Sequence, residues 1–163
     1  MKKLILAFVL AIFSITTYAK AEVGQLAPPI EGKLMNGQDF SSSSYKGKVL
    51  IIHFWASWCE PCQEEMPFME SFYQKYRKDG LEIITISMDK SSDIDSAKHI
   101  SHHFSFLSTH KDQVNLKGYG RIWRIPSTFI INRQGILIKD GLTGTPQVDD
   151  EVLNKIILPA LKN

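Results

Sequence analysis

At 163 residues, 44% of them hydrophobic and 22% charged, the chain has ordinary globular composition, long enough for one packed core and too short for two domains of usual size. Its formal charge of +2 becomes −1 once residues 1–21 are set aside, because that stretch holds Lys2, Lys3 and Lys20 and no acid. That balance offers no electrostatic footing for nucleic acid or an anionic membrane, and two cysteines are too few for a disulfide-stapled scaffold.

The N-terminus opens with Lys2 and Lys3, runs through the apolar stretch Leu4 to Ile15 and closes on small residues, with Ala19 and Ala21 in an Ala-x-Ala pattern. This is the layout of a secretory signal peptide over residues 1–21. Thr16 to Ala19 could lengthen the apolar stretch toward the ~20 residues of a span, which makes an uncleaved single anchor the alternative. In either case the domain, residues 22–163, is exported.

Ala27-Pro28-Pro29 breaks structure, and Asn36-Gly37 predicts a two-residue turn between short strands near 30–35 and 38–41. The serines Ser41 to Ser44 read as a loop. Val49 to Trp55 is a continuous apolar run, the pattern of a buried central strand with parallel character. Met66, Met69, Phe72 or Tyr73, and Tyr76 recur at helical spacing and predict an amphipathic helix over about 60–78, kinked by Pro67. Leu81 to Met88 predicts a second buried strand, ended by Asp89-Lys90-Ser91-Ser92. A helix near 93–103, a short strand near 104–109 and a helical stretch near 112–119 follow. Thr128 to Ile131 and Ile136 to Ile138 form a hairpin around Asn132-Arg133-Gln134-Gly135, and Gln147 to Leu161 reads as a closing helix. Strand, helix, strand, helix, hairpin and helix describe an α/β protein with a central mixed sheet and helices on both faces.

Cys59 and Cys62 fall where the first core strand hands over to its helix. A bridge three residues long removes little entropy from the unfolded chain, so the pair is poorly explained as a structural staple. Residues i and i+3 share a helix face, which brings the two sulfurs within bonding reach. Cys59, at the open end of the helix, is expected to be exposed, with its thiolate favoured by the helix dipole and free amides. Cys62, one turn deeper, would resolve the mixed disulfide that Cys59 forms. Pro61 presets a first-turn backbone angle, and Glu60 opposes the Cys59 thiolate, which predicts a less acidic thiol and a less oxidising pair. Half a zinc site has the same spacing, but no second cysteine pair exists to complete one.

The run Phe54-Trp55-Ala56-Ser57-Trp58-Cys59-Glu60-Pro61-Cys62, with Pro67 five residues on, resembles the active-site strand and helix of thioredoxins. The Glu-Pro spacer, the Ala27-Pro28 hairpin and Lys46-Gly47-Lys48-Val49 narrow this to a resemblance to the ResA/TlpA-like exported thiol-disulfide oxidoreductases over about residues 23–160. The resemblance implies a thioredoxin fold with an N-terminal β-hairpin and a central insertion near 93–120. It also implies a cis-proline facing the disulfide, matched by Ile125-Pro126-Ser127-Thr128-Phe129, with Pro126 as the cis residue and Ile125 presenting backbone to substrate. It implies further a periplasmic or other extracytoplasmic reductase of exported proteins, apocytochromes c among them, kept reduced by a membrane electron-donor protein and needing no cofactor beyond its own disulfide. A monomer is expected, touching the membrane only through an N-terminal anchor.

Glu65 matches an acidic residue beside the active site of ResA-like proteins and could relay protons to Cys62; the alternative is a solvated surface glutamate. His53 stands where thioredoxins carry a buried acid. It could act as a neutral base for Cys62 with its pKa depressed by burial, or be a hydrogen-bonded core histidine. Trp58 is a candidate partner-binding surface, whereas Trp55 reads as packing. His99, His102 and His103 share a helix face but lack a completing ligand, so no metal is expected. A peroxidase would need Pro and Thr or Ser seven and three residues before Cys59, where Ile52 and Ala56 stand. An exported oxidant or isomerase of the same fold, and a copper-binding chaperone using the cysteines and a histidine, remain as alternatives.

Overall fold

The computed structural model describes residues 20–163, so the signal-peptide reading falls on a stretch of which residues 1–19 lie outside the described residues. The N-terminal hairpin pairs β1 (Glu31–Lys33) with β2 (Asp39–Ser41). Leu34 N donates to Gln38 O and Gly37 N to Leu34 O, so the bend is a three-residue loop, Met35 to Gly37, and not the two-residue turn expected of Asn36-Gly37: Gly37 has φ 86°, whereas Asn36 does not take the positive φ that turn requires. The core runs β3 (Val49–Trp55), α1 (Glu60–Tyr76), β4 (Leu81–Ser87), α2 (Ile94–Ser101), β5 (Leu107–His110), β6 (Ser127–Ile131) and β7 (Leu137–Lys139). These strands form one mixed sheet in the order β5-β4-β3-β6-β7. β3 pairs in parallel with β4 and β4 with β5, each through a helical crossover, while β6 and β7 run antiparallel.

Every residue of β3 and β4 is buried, as expected of mostly apolar strands covered on both sides; the polar ones, His53, Glu82, Thr85 and Ser87, are buried with them. Alternation splits them between two cores. Val49, Ile51 and Trp55 pack with Met66 and Met69 of α1, Ala97 of α2 and Val152 and Ile157 near the C-terminus. Leu50, Ile52 and Phe54 pack with Phe129, with Ile30 and Phe40 of the hairpin region, and with Tyr119. The α-helices cover the first face. The second is covered by the hairpin and by short 3₁₀ turns, Ser42–Tyr45, Lys111–Gln113 and Lys117–Tyr119.

The last two turns replace the helical stretch expected near 112–119. Val114 is drawn extended to bridge Gly32, and the Asn115 amide donates to Glu31 O at 2.9 Å, so long-range pairing takes the backbone groups a helix would need. The approach is tight. Gly32 has φ 155°, and a Cβ there would overlap the Gln113 carbonyl.

The closing helix begins later than its sequence pattern suggests. Asp149 caps it by accepting the Val152 amide at 2.9 Å, which leaves Gln147 outside and Val148 as a buried plug. It comprises α3 (Asp150–Val152), a π turn (Leu153–Ile157) and α4 (Leu158–Lys162), the register slipping just ahead of Pro159, which has no N–H to donate. Both edges of the sheet are occupied. Gly24 N donates to Leu137 O and Leu137 N to Gln25 O along β7, while Met35 N donates to Ser108 O along β5.

Candidate active site

β3 ends at Trp55, and the next four residues turn the chain into α1. Cys59 is the N-cap, with extended backbone, and its carbonyl accepts the amides of Cys62 (3.1 Å) and Gln63 (3.2 Å). Pro61 occupies the first turn, and Glu60 sits exposed beside it. The helix continues through Pro67 to Tyr76. Cys59 and Cys62 are joined as a disulfide, with their Cα atoms 5.3 Å apart.

One expectation is corrected at this point. Cys59 is not an exposed thiol but is only 5% accessible, against 0% for Cys62. Bonded to Cys62, it shares an apolar cluster with Trp55 and Met66. The asymmetry between the two sulfurs is kept, at a smaller scale. Trp58 turns outward instead and is 68% exposed.

The loop before Cys59 is held by a residue the sequence marked only as a strand terminator. Asp89 is fully buried, and its carboxylate accepts the Ser57 amide at 3.0 and 3.2 Å, the Ser57 hydroxyl at 2.6 Å and the Ser87 hydroxyl at 2.7 Å. His110 Nε2 lies 3.0 Å from the Asp89 carbonyl, and Met88 N donates to Trp55 O at 2.7 Å. The end of β4 thereby fixes where the reactive loop can sit.

The Ile125–Pro126 peptide is cis, and Pro126 is buried at the entry to β6. Because Ser127 stands opposite Phe54, this entry lies at the same end of the sheet as the loop leading to Cys59. Ile125 packs against the cluster that holds both cysteines.

Beneath α1 lies a row of polar groups in an otherwise apolar face. His53 of β3 is fully buried, and its Nδ1 shares a hydrogen bond of 3.0 Å with Thr128 Oγ1. Glu65, one turn beyond Cys62 on α1, reaches down until its Oε1 lies 3.4 Å from His53 Nδ1; both carboxyl oxygens are buried without a hydrogen bond. Lys139 of β7, also buried, donates to Thr128 O at 3.0 Å. Burial, opposed by the Val148 amide and the Lys139 charge, pushes the Glu65 carboxyl up to about 8. Burial and the Lys139 charge push His53 down to about 3. Burial, then the Arg124 charge, lowers Lys139. Near neutral pH the row therefore holds a neutral imidazole and a largely protonated carboxylic acid.

Thus His53, Glu65 and Cys62 come together on one face, with Ile125 beside them, while Glu60 and Trp58 lie on the rim. Lys139 gave no sign in the sequence, where it reads as a strand-end lysine. His99 of α2 and His103, just past its end, stack edge to face at 5.4 Å, well apart in sequence and element from this site, and among the described residues no group of three His, Cys, Asp or Glu is arranged to hold a metal. No described helix is long and apolar enough to cross a membrane.

Residues 23–139 match the AhpC/TSA family. The chain is 31% identical over 159 residues to the thiol-disulfide oxidoreductase ResA of Geobacillus thermodenitrificans, covering 92% of this chain and 90% of that protein. It superposes on a DsbE-type thiol:disulfide interchange protein from Chlorobium tepidum with a TM-score of 0.71, at 27% identity over 87% of this chain and 99% of the other. A second Chlorobium tepidum structure, of a thioredoxin family protein, gives a TM-score of 0.67 at 23% identity, over 88% of this chain and 99% of the other, and shows the fold alone.

Proposed function

The chain belongs to the AhpC/TSA family and is a thiol-disulfide oxidoreductase of thioredoxin fold, similar to ResA, and from that premise we propose that it works in the reducing direction on disulfides of exported proteins. The observation that carries this reading is the Cys59–Cys62 pair itself, bonded at the mouth of α1, with Cys59 keeping a small accessible surface and Cys62 none.

In the proposed cycle the Cys59 thiolate attacks a substrate disulfide. One substrate sulfur bonds to Cys59, and the other leaves as a thiolate and takes a proton. Cys62 then loses its proton and attacks the Cys59 sulfur; the Cys59–Cys62 bond forms, the second substrate thiol departs, and two electrons have passed to the substrate. Cys62 has no contact with solvent, so its proton needs an internal acceptor. A thiol of ordinary pKa, about 8.5, is matched within about one unit by Glu65 and missed by about five units by His53. Glu65 is therefore the acceptor in its ionised form, the minor one near neutral pH; a protonated Glu65 first passes its own proton to solvent at its 8% exposed edge and then takes the proton of Cys62. His53 serves as its neutral neighbour, orienting Thr128. The amides of the first turn of α1 favour the Cys59 thiolate, and Glu60 moderates them. Trp58, Ile125 and cis-Pro126 form the edge against which the substrate chain lies.

The same reading places the protein outside the cytoplasm, as a monomer, with a membrane electron donor regenerating the dithiol. Apocytochromes c awaiting haem attachment are the substrate class that the likeness to ResA suggests. The test is a Cys62→Ser variant expressed with its export signal. It should accumulate mixed disulfides through Cys59, and their partners should be exported cysteine-bearing proteins. No trapped partner, together with a wild-type potential near that of a strong oxidant, would assign the protein to oxidation or isomerisation instead; stoichiometric Cu(I) binding without insulin reduction would point to a copper chaperone.

A further inference from the structure

The site described above leaves one exposed aromatic side chain unused. Trp123 is 64% exposed, close to the 68% of Trp58, and the other large hydrophobic residues this exposed among the described residues are Val23 and Leu26. Leu26 bridges Ile136 beside the Gly135 turn, at the opposite end of β7 from the loop that follows Lys139. Trp123 lies four residues before Ser127, and Trp58 four residues after Phe54, and those two residues are directly paired between β6 and β3. The two exposed indoles therefore stand at one end of the sheet, on the two loops that carry cis-Pro126 and Cys59.

Trp123 is exposed but not loose. The Arg124 guanidinium lies 5.2 Å from the ring centroid, within cation–π range. That guanidinium is itself tied down, since Nη2 donates to Gly141 O and Gly144 O, each at 3.2 Å. Ser127 Oγ donates to Arg124 O at 2.9 Å and to Gly141 O at 3.1 Å, which stitches the loop to the segment after β7. A large aromatic surface held in place by neighbours that make no use of its outer face is a preorganised contact, because the entropy of ordering it is not lost again on binding.

We infer that Trp123 is a specificity-determining contact for the substrate polypeptide, receiving an apolar or aromatic side chain close to the disulfide cysteine; this rests on the disulfide-exchange reading above. The occupant is a polypeptide because the partner must bring its own cysteine to Cys59 while its backbone passes Ile125 and Pro126. Its flanking residues then run over Trp123. A membrane surface fits less well, since Glu60, Glu64, Asp149 and Asp150 are exposed around the other side of the cysteines and would repel anionic headgroups.

The test uses the purified, reduced protein and hexapeptides whose single cysteine is capped by a chromophoric aryl thiol, with Trp or Ser placed two residues from the cysteine. Glutathione disulfide, which lacks such a flank, is the reference. The wild type should favour the Trp peptide over the Ser peptide by about tenfold in second-order rate, the scale of one aromatic contact. Trp123→Ala should bring that preference to within about twofold, and Trp123→Phe should restore most of it. Equal reaction of the wild type with both peptides, or a preference that survives Trp123→Ala, would overturn the inference. So would unchanged peptide selectivity combined with lost binding to vesicles of anionic lipid. If the wild type exchanges with glutathione disulfide but not selectively with peptides, only the role of Trp123 falls; if it exchanges with no disulfide at all, the reductase reading falls with it.

Discussion

Replacing Glu65 with glutamine should change how the fold responds to pH in a way that can be worked out in advance. Glu65 moves from an ordinary 4.5 to about 8 on folding, and His53 from 6.5 to about 3. A raised carboxyl binds a proton in the native state that the unfolded chain has released, so stability falls as pH rises between 4.5 and 8. A lowered histidine does the reverse, and stability rises with pH between 3 and 6.5. Each slope is about 1.4 kcal/mol per pH unit. In the wild type the two cancel from pH 4.5 to 6.5, and the Glu65 slope alone then removes about 2 kcal/mol by pH 8. Glu65→Gln carries no titrating proton and keeps the neutral shape. Its stability should climb until pH 6.5 and stay level above it. Urea denaturation of the oxidised forms between pH 4.5 and 8 reads this directly, with the cysteines kept as a disulfide so that they do not titrate. Parallel curves for the two proteins above pH 6.5 would refute the placement of a protonated acid beneath Cys62.

Two further outcomes follow from buried contacts. Asp89→Ala strips the acceptor from the Ser57 amide and from two hydroxyls, and should cost about 3–5 kcal/mol in denaturant unfolding, with Ser57→Ala costing about 1 kcal/mol because only one of those bonds is lost. Gly32→Ala meets the Gln113 carbonyl as well as a strained φ, and should lower stability by at least ~2 kcal/mol, whereas Gly37→Ala, with open space around its Cβ position, should cost less.

The parts of this fold that were legible in sequence are those whose local signal and tertiary role agree. β3 and β4 are mostly apolar and buried along their whole length, and Asn36-Gly37 marks where the hairpin bends, although the loop takes in Met35 as well because Asn36 does not adopt a positive φ. Cys59 at a strand-to-helix junction, followed by Pro61, placed the start of α1 within a residue. The composition of the stretch 112–119 allows a helix, but its conformation is decided about eighty residues away at Gly32, a partner no local window contains. The burial of Cys59 depends on the bond to Cys62 and on what surrounds it, not on its place along a helix. Asp89 and Lys139 escaped notice for a related reason. A lone acid before a serine pair reads as turn chemistry, and a lysine ending a hairpin strand reads as a solubilising charge; only β-sheet register turns one toward Ser57 and the other toward Thr128. Glu65 was recognisable as a candidate, and its protonation is a property of the cavity that encloses it.

The outer edges of β5 and β7 are both taken by backbone from the first part of the domain, through Met35 on one side and Gly24 and Gln25 on the other. Leu137 on β7 and Ser108 on β5 are thereby already bonded, which leaves less unpaired backbone at either edge for a further strand to pair with. An extended chain approaching either edge meets positions whose ladder groups are taken, and adding a sixth strand there would mean displacing residues 24–25 or Met35. For the disulfide exchange proposed above, such edges would leave the loops around Cys59 and Pro126 as the place of encounter, with release set by the bond to Cys59 and not by strand addition.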